Sequence, residues 1–189
     1  RAYTALRQVG LEDEYFYQSP FDLSGGQKRR CEIAAALMHT PEILFLDEPT
    51  TGVDAVSRSE FWDMLSDLKK QGITILVSTP YMDEASRCDR IALMNEGVIL
   101  GIDTPENMVK AFDSPLYGVK AKNMFALLEV ARMQPGVLNC YPFGEMHHLV
   151  ADASFNAEKM KKALANVEGF CIEPAVPTIE DMFIKLMKQ

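Results

Sequence analysis

The sequence predicts an α/β chain with a mostly parallel sheet, followed by a small α+β unit. Two apolar runs carry the first half of that expectation. Ile43–Leu46 and Ile73–Val77 are apolar almost throughout, as strands buried on both faces are, and the stretch between them has helical periodicity. Strand, helix, strand is the unit that builds a parallel sheet. The second half rests on the change of character near Ser114-Pro115. After it, shorter apolar runs and helical stretches follow in the order β-α-β-β-α-β.

Taken in order, Leu6, Val9 and Leu11 give a short helical pattern ending near Gly10. Ser24 is placed to cap a helix entered through Gly25 and Gly26. Cys31, Ile33, Ala34, Leu37 and Met38 give that helix one buried side. Pro41 closes the helical region before the first strand. From Val53 to Lys70, Phe61, Met64, Leu65 and Leu68 fall on one stripe, Trp62 reads as packing, and Gly72 stops the helix. The run Ile73–Val77 is too apolar for an edge and reads as parallel and central. A short helix from Met82 to Arg87 leads to a strand over Arg90–Met94, turned by Asn95-Glu96-Gly97 into Val98–Leu100. Thr104-Pro105 is a cap with proline at the first helical position, and the helix runs towards Phe112.

In the last part, Tyr117–Ala121 is a strand and Met124–Met133 a helix with Leu127, Leu128 and Ala131 inward. Val137–Tyr141 and His147–Val150 pair across Phe143-Gly144-Glu145. A helix over Ala157–Val167, a strand at Phe170–Ile172 and a helix over Ile179–Met187 complete the chain. This is the split-βαβ, ferredoxin-like order with one extra helix.

The chemistry is concentrated between Leu23 and Asp54. The apolar strand Ile43–Leu46 ends in Asp47 and Glu48, and open α/β sheets bind ligands at the carboxyl ends of their strands. Oxygen-preferring Mg²⁺ makes Asp47 the natural metal-side carboxylate. Glu48, one residue on, points elsewhere and is free to polarise a water. The turn Ser24-Gly25-Gly26-Gln27 offers backbone N–H groups and the positive end of a helix to an anion. A plain tight turn before a helix is the bland alternative. Lys28, Arg29 and Arg30 occupy that helix's first turn, either as a solvated face or as partners of a phosphate-rich ligand.

The order LSGGQKRR, a helix, then ILFLDEPTTGVD closely resembles the ATP-binding cassette (ABC) ATPases, a P-loop NTPase family. In that resemblance LSGGQ is the signature motif, ILFLDE the Walker B strand with its catalytic glutamate, and TGVD the D-loop. It implies a nucleotide-binding domain that pairs head to tail with a second one. Ser24, Gly25, Gly26 and Gln27 would contact the γ-phosphate of ATP held by the partner domain. Asp47 would hold Mg²⁺ through water, Glu48 would act as general base, and Asp54 would cross the interface. The segment Tyr81–Ala85, the Ala92–Gly97 hairpin and Thr178–Phe183 resemble the multidrug or ABC-2 exporter branch. Its ATP-binding subunits dock on the cytoplasmic face of a separate membrane-spanning permease. The expected division is residues 1–113 for the cassette part and 114–189 for a small C-terminal extension.

The family pattern is departed from twice. No G-x-x-x-x-G-K-S/T phosphate loop (Walker A) occurs, so the chain is expected to be the C-terminal portion of a longer protein, inactive alone, with apolar sheet surface exposed. The resemblance also places a histidine just past the second apolar strand, where it contacts the γ-phosphate. Here the switch position is Pro80, which has no side-chain donor or acceptor. Slow hydrolysis, a degenerate half of an asymmetric pair, or another group standing in (the Thr79 hydroxyl) are the three readings.

Composition bounds the rest. With 189 residues, 48% hydrophobic and 24% charged, the chain is long enough for one domain or two small ones. The net charge of -8 speaks against a nucleic-acid surface. Tyr15, Phe16 and Tyr17 are not interleaved with basic residues, which removes a stacking platform. The four cysteines show no C-x-x-C, and no run of 18 apolar residues is long enough to cross a membrane. His147 and His148, adjacent in a strand, face opposite ways and cannot share one metal; with His39 they read as structural or surface residues. A chromosome-organising ATPase head would carry long heptad arms, which the globular stretch after Ser114 lacks. A regulatory module in the C-terminal unit would need a polar pocket between its sheet and helices.

Overall fold

A computed structural model describes residues 1–188. The chain divides into two compact units, Arg1–Arg87 and the remainder from Cys88.

The first unit opens with α1 (Ala2–Gln8) and a 3-10 turn at Asp13–Tyr15, followed by α2 (Gly25–Leu37). Strand β1 (Ile43–Asp47), helix α3 (Ala55–Lys70), strand β2 (Thr74–Ser78) and the short α4 (Met82–Ala85) complete it. β1 and β2 are parallel, in register from Ile43 opposite Thr74 to Asp47 opposite Ser78. The strand-helix-strand order thus gives the expected parallel pair. Every helix longer than one turn contributes buried side chains, among them Ala5, Ile33, Leu37, Phe61, Leu65 and Leu68. Gly72, at φ +96, ends α3 in a conformation that a side chain would strain.

Period-2 geometry puts Ile43, Phe45 and Asp47 on one face of the pair with Thr74, Leu76 and Ser78. On that face Phe45 is 70% exposed and Leu76 60%, whereas Leu44 on the other is 5%. The apolar surface expected from the sequence is therefore present. The central position expected for the second strand is not: among the described residues β1 and β2 each have a single partner strand. An all-apolar run reports burial on both faces, and here one face has nothing from this unit over it.

The second unit begins earlier than the change of character near Ser114. It includes the hairpin β3 (Ile91–Asn95) and β4 (Val98–Asp103), and α5 (Pro105–Lys110). Glu96 and Gly97 both take positive φ in the two-residue turn, the requirement of a type I′ connection. The boundary falls at residue 87 because the last helix of the chain, α8 (Ile179–Leu186), returns to α5. Lys185 Nζ lies 2.5 Å from Asp113 Oδ1 and 5.4 Å from the centre of the Phe112 ring.

Between them stand β5 (Leu116–Lys120), α6 (Met124–Arg132), β6 (Val137–Phe143), β7 (Met146–Ala151), α7 (Ala157–Ala163) and β8 (Cys171–Pro174). The sheet order is β6-β7-β5-β8, antiparallel throughout. Counted from the first strand of the sheet this is 4-1-3-2, the ferredoxin-like arrangement read from the sequence. Val119, Leu127, Ala131, Leu149, Met160 and Leu164 form its core with α6 and α7. β7 shows the two-faced histidine pair. His147 Nε2 is 2.7 Å from the carbonyl of Met124 at the start of α6, whereas His148 Nδ1 is 2.6 Å from Asp181 on α8.

Candidate functional site

The turn into α2 is a full capping box. Gln27 N donates to Ser24 Oγ at 3.2 Å and Ser24 N donates to Gln27 Oε1 at 2.8 Å. The first amide with a carbonyl four residues back is Lys28, which donates to Ser24 O. Helix geometry leaves the amides of Gly25 and Gly26 without such a partner. A Cβ at either glycine would meet nothing within 4 Å, and Gly25 is exposed and Gly26 partly so. The helix has 13 residues, enough for its dipole to add to the attraction.

The basic run behind the turn resolves into protein contacts. Arg29 Nε donates to Pro49 O at 3.2 Å and its Nη1 pairs with Glu32. Arg30 reaches Val9 O and Glu60. Two of the three cations therefore hold the fold together, and Arg29 ties α2 to the residue directly after Glu48.

At the end of β1, one side chain that the sequence did not single out gathers both acidic residues. Ser78, opposite Asp47 in the register, donates through Oγ to Asp47 Oδ1. Glu48 N donates to the same Oγ at 3.0 Å and to Ser78 O at 3.1 Å. Glu48 stands at φ +41, a left-handed backbone that costs a glutamate about 1–3 kcal/mol. The strain is fixed from both sides, because Pro49 and Thr50 are buried and Thr51 Oγ1 donates to Glu48 Oε2 at 3.0 Å. The Asp47 carboxylate stays exposed. A spacing rule cannot find Ser78, since its role depends on strand register.

Asp54 is the N-cap of α3. Its Oδ1 accepts from Val56 N and Ser57 N, both at 3.0 Å. Hydrogen bonds from Ser57, side chain first and then backbone, hold its carboxyl below the usual range.

Past β2, Pro80 is exposed. The Thr79 hydroxyl offered as a stand-in for the absent histidine is already committed. It donates to Glu84 Oε2 at 2.6 Å and accepts from Tyr81 N at 3.1 Å. Arg58 on α3 completes a clamp on this segment, with Nε 3.1 Å from Glu84 Oε1, Nη2 2.5 Å from Asp83, and the guanidinium 4.4 Å over the Tyr81 ring. Thus Asp47, Glu48, Thr51 and Ser78 form one cluster and Ser24, Gly25, Gly26 and Gln27 another. No hydrogen bond or ion pair joins the two among the described residues.

The donor set suits a hard cation that keeps most of its other ligands. Among the described residues no group of three or more His, Cys, Asp or Glu side chains is arranged to hold a metal. One exposed carboxylate held from behind is what Mg²⁺ uses alongside water and phosphate oxygens.

Residues 1–51 match the family model described as ABC transporter. The probable multidrug ABC transporter ATP-binding protein YbhF of Escherichia coli is 46% identical over 87 residues, which is 46% of this chain and 15% of that protein. The energy-coupling factor transporter ATP-binding protein EcfA2 of Geobacillus kaustophilus is 44% identical over 115 residues, 60% of this chain and 40% of its own. The chain thus spans less than half the length of these curated relatives. Among solved structures, cbiO1 from Clostridium perfringens, part of the ABC transporter complex cbiONQ, matches with a TM-score of 0.55 at 27% identity, over 71% of this chain and 49% of that one. In sequence and fold, the first unit is similar to the ATP-binding domains of ABC transporters.

Proposed function

We propose that the chain serves ATP binding and hydrolysis at the interface of two paired ATP-binding domains, driving export through a separate membrane-spanning subunit. The observation that carries this reading is the carboxyl end of β1, where Ser78 and Thr51 hold Asp47 and Glu48 apart in fixed poses. Asp47 would bind Mg²⁺, which supplies charge neutralisation at the transferred phosphoryl group. Glu48 would accept the proton of the attacking water; its carboxylate is held by Thr51 and that of Asp47 by Ser78, so each has its own partner.

Ser24, Gly25, Gly26 and Gln27 would meet the γ-phosphate of ATP held by a partner domain. The free amides of the two glycines are suited to that, and the capping box fixes their direction. Asp54 would contribute at the same interface through the α3 N-terminus it caps. No helix of the described residues is long and apolar enough to cross a membrane. The site of action in this reading is the cytoplasmic side of the membrane, peripheral to the permease.

Pro80 sets the rate. With Thr79 bonded to Glu84, no side chain at the end of β2 replaces the missing γ-phosphate contact, and hydrolysis is slow. A degenerate half, kept for its signature motif, is the second reading. For a regulatory module in the second unit, the candidate pocket is the open groove lined by Arg132 at the end of α6, by Val137, Leu138 and Asn139 of β6, and by Lys188.

The test is Mg²⁺-ATP binding and phosphate release by the intact protein beside its Glu48→Gln variant. Release that disappears in the variant while ATP binding persists supports hydrolysis at this site. Equal release by both overturns it, and ATP binding without release by either gives the degenerate half.

A further inference from the structure

We infer that Ser78 is a positioning residue for the metal-side carboxylate, and that its hydroxyl sets how tightly the site holds Mg²⁺. This rests on the reading of Asp47 as the Mg²⁺-side group.

A serine hydroxyl has one proton to give and two lone pairs. Here the proton is directed at Asp47 Oδ1 and a lone pair receives the Glu48 amide at 3.0 Å. With both directions used, the hydroxyl cannot rotate away from the carboxylate. The arrangement follows from the parallel register, which sets Ser78 opposite Asp47 on the same face. Asp47 is exposed at the strand end, so no packing restricts its side-chain torsions. Ser78 is the group that fixes one oxygen and leaves the carboxylate's remaining acceptor directions for a cation. Partners behind a ligand orient it and tune its basicity, and their loss typically weakens metal binding about tenfold to a hundredfold.

The Glu48 amide has a second acceptor in Ser78 O at 3.1 Å. Removing the hydroxyl therefore leaves Glu48 tethered while releasing Asp47. The effect falls on metal affinity and not on the capacity to bind nucleotide.

The experiment uses the intact protein carrying Glu48→Gln to stop turnover, with Mn²⁺ as a paramagnetic probe read by electron paramagnetic resonance in the presence of ATP. Metal-free ATP binding is measured alongside. Threonine and valine share shape and strand preference, so Ser78→Thr and Ser78→Val differ only in the hydroxyl. Ser78→Val and Ser78→Ala are expected to weaken Mn²⁺ binding about tenfold, with metal-free ATP binding unchanged, while Ser78→Thr binds Mn²⁺ as the parent does. Equal Mn²⁺ affinity in the threonine and valine forms overturns the assignment. Asp47→Asn separates the two levels. If it weakens Mn²⁺ binding and Ser78→Val does not, only the role of Ser78 falls. If Asp47→Asn has no effect, the metal reading falls and the role of Ser78 with it.

Discussion

Arg58 Nε donates to Glu84 Oε1 at 3.1 Å, and the glutamate it reaches is 2% exposed while the arginine side chain is 21% exposed. This pair joins α3, whose N-cap is Asp54, to the segment that carries Pro80. Thr79 donates to the other oxygen of Glu84, so the buried carboxylate is bonded both from the residue after β2 and from α3. Breaking such a pair by removing one partner costs more than the pair contributes, because the buried carboxylate keeps its charge and loses its cation. Arg58→Ala is expected to destabilise the protein by about 3 kcal/mol, and Glu84→Gln by less, since the amide keeps the shape. Thermal unfolding of the two variants and their double mutant checks this. The double mutant should lose less than the sum of the single changes.

Pro80→His is the direct test of the switch position. Proline has no side-chain group for a phosphate, and the neighbouring hydroxyl is spent on Glu84. A histidine there is expected to raise phosphate release by roughly a hundredfold, the usual scale for one transition-state contact. ATP affinity should change far less. The gain should vanish when Glu48→Gln is added, because both act on the same step.

The Glu48 backbone makes stability and activity pull apart. At φ +41 a glycine has no steric penalty and a glutamate does. Glu48→Gly is expected to raise stability by about 1 kcal/mol, reduced by the lost bond from Thr51, while removing phosphate release. Glu48→Ala keeps the strain and should gain nothing. Denaturant midpoints of the three proteins, compared at equal slope, decide it.

How much of this the sequence shows differs between elements for physical reasons. The parallel pair β1-β2 and the β-α-β-β-α-β unit are legible because local apolar runs and helical stripes carry them. The Ser24–Gln27 capping box is legible because both partners lie three residues apart. Ser78 opposite Asp47, Arg58 over Tyr81 and Thr79 on Glu84 are not. Each joins residues separated by a strand crossing or a turn whose geometry no spacing encodes. For Arg29 and Arg30 the decisive partners are likewise distant in sequence, Pro49 O for Arg29 and Val9 O with Glu60 for Arg30. The unit boundary at residue 87 depends on α8 returning to α5, a contact between the two ends of that unit.

The buried cluster around Asp181 sets the acid stability of the second unit. The carboxylate is fully buried and accepts from Tyr141 Oη at 2.6 Å, His148 Nδ1 at 2.6 Å, and Thr178 N and Oγ1 both at 2.7 Å. Burial alone would push its pKa up. The hydrogen bonds from His148, Tyr141 and Thr178 outweigh that, and the net result lies below the ordinary value of 3.8. Burial first, and then the bond to Asp181, push the Tyr141 hydroxyl up, so it stays a proton donor throughout the accessible range. A folded pKa below the unfolded one means the charged form contributes stability in full above the unfolded value. That contribution is lost as pH falls through the folded value. Unfolding free energy of the second unit should therefore hold level from neutrality down to about pH 5 with respect to this group, and fall below about pH 4. Asp181→Asn keeps the shape but turns an acceptor into a donor facing other donors. It should cost about 2 kcal/mol at pH 7 and flatten the acid limb of the pH profile. An Asp181→Asn profile as steep as the parent's below pH 4 would place the acid sensitivity elsewhere.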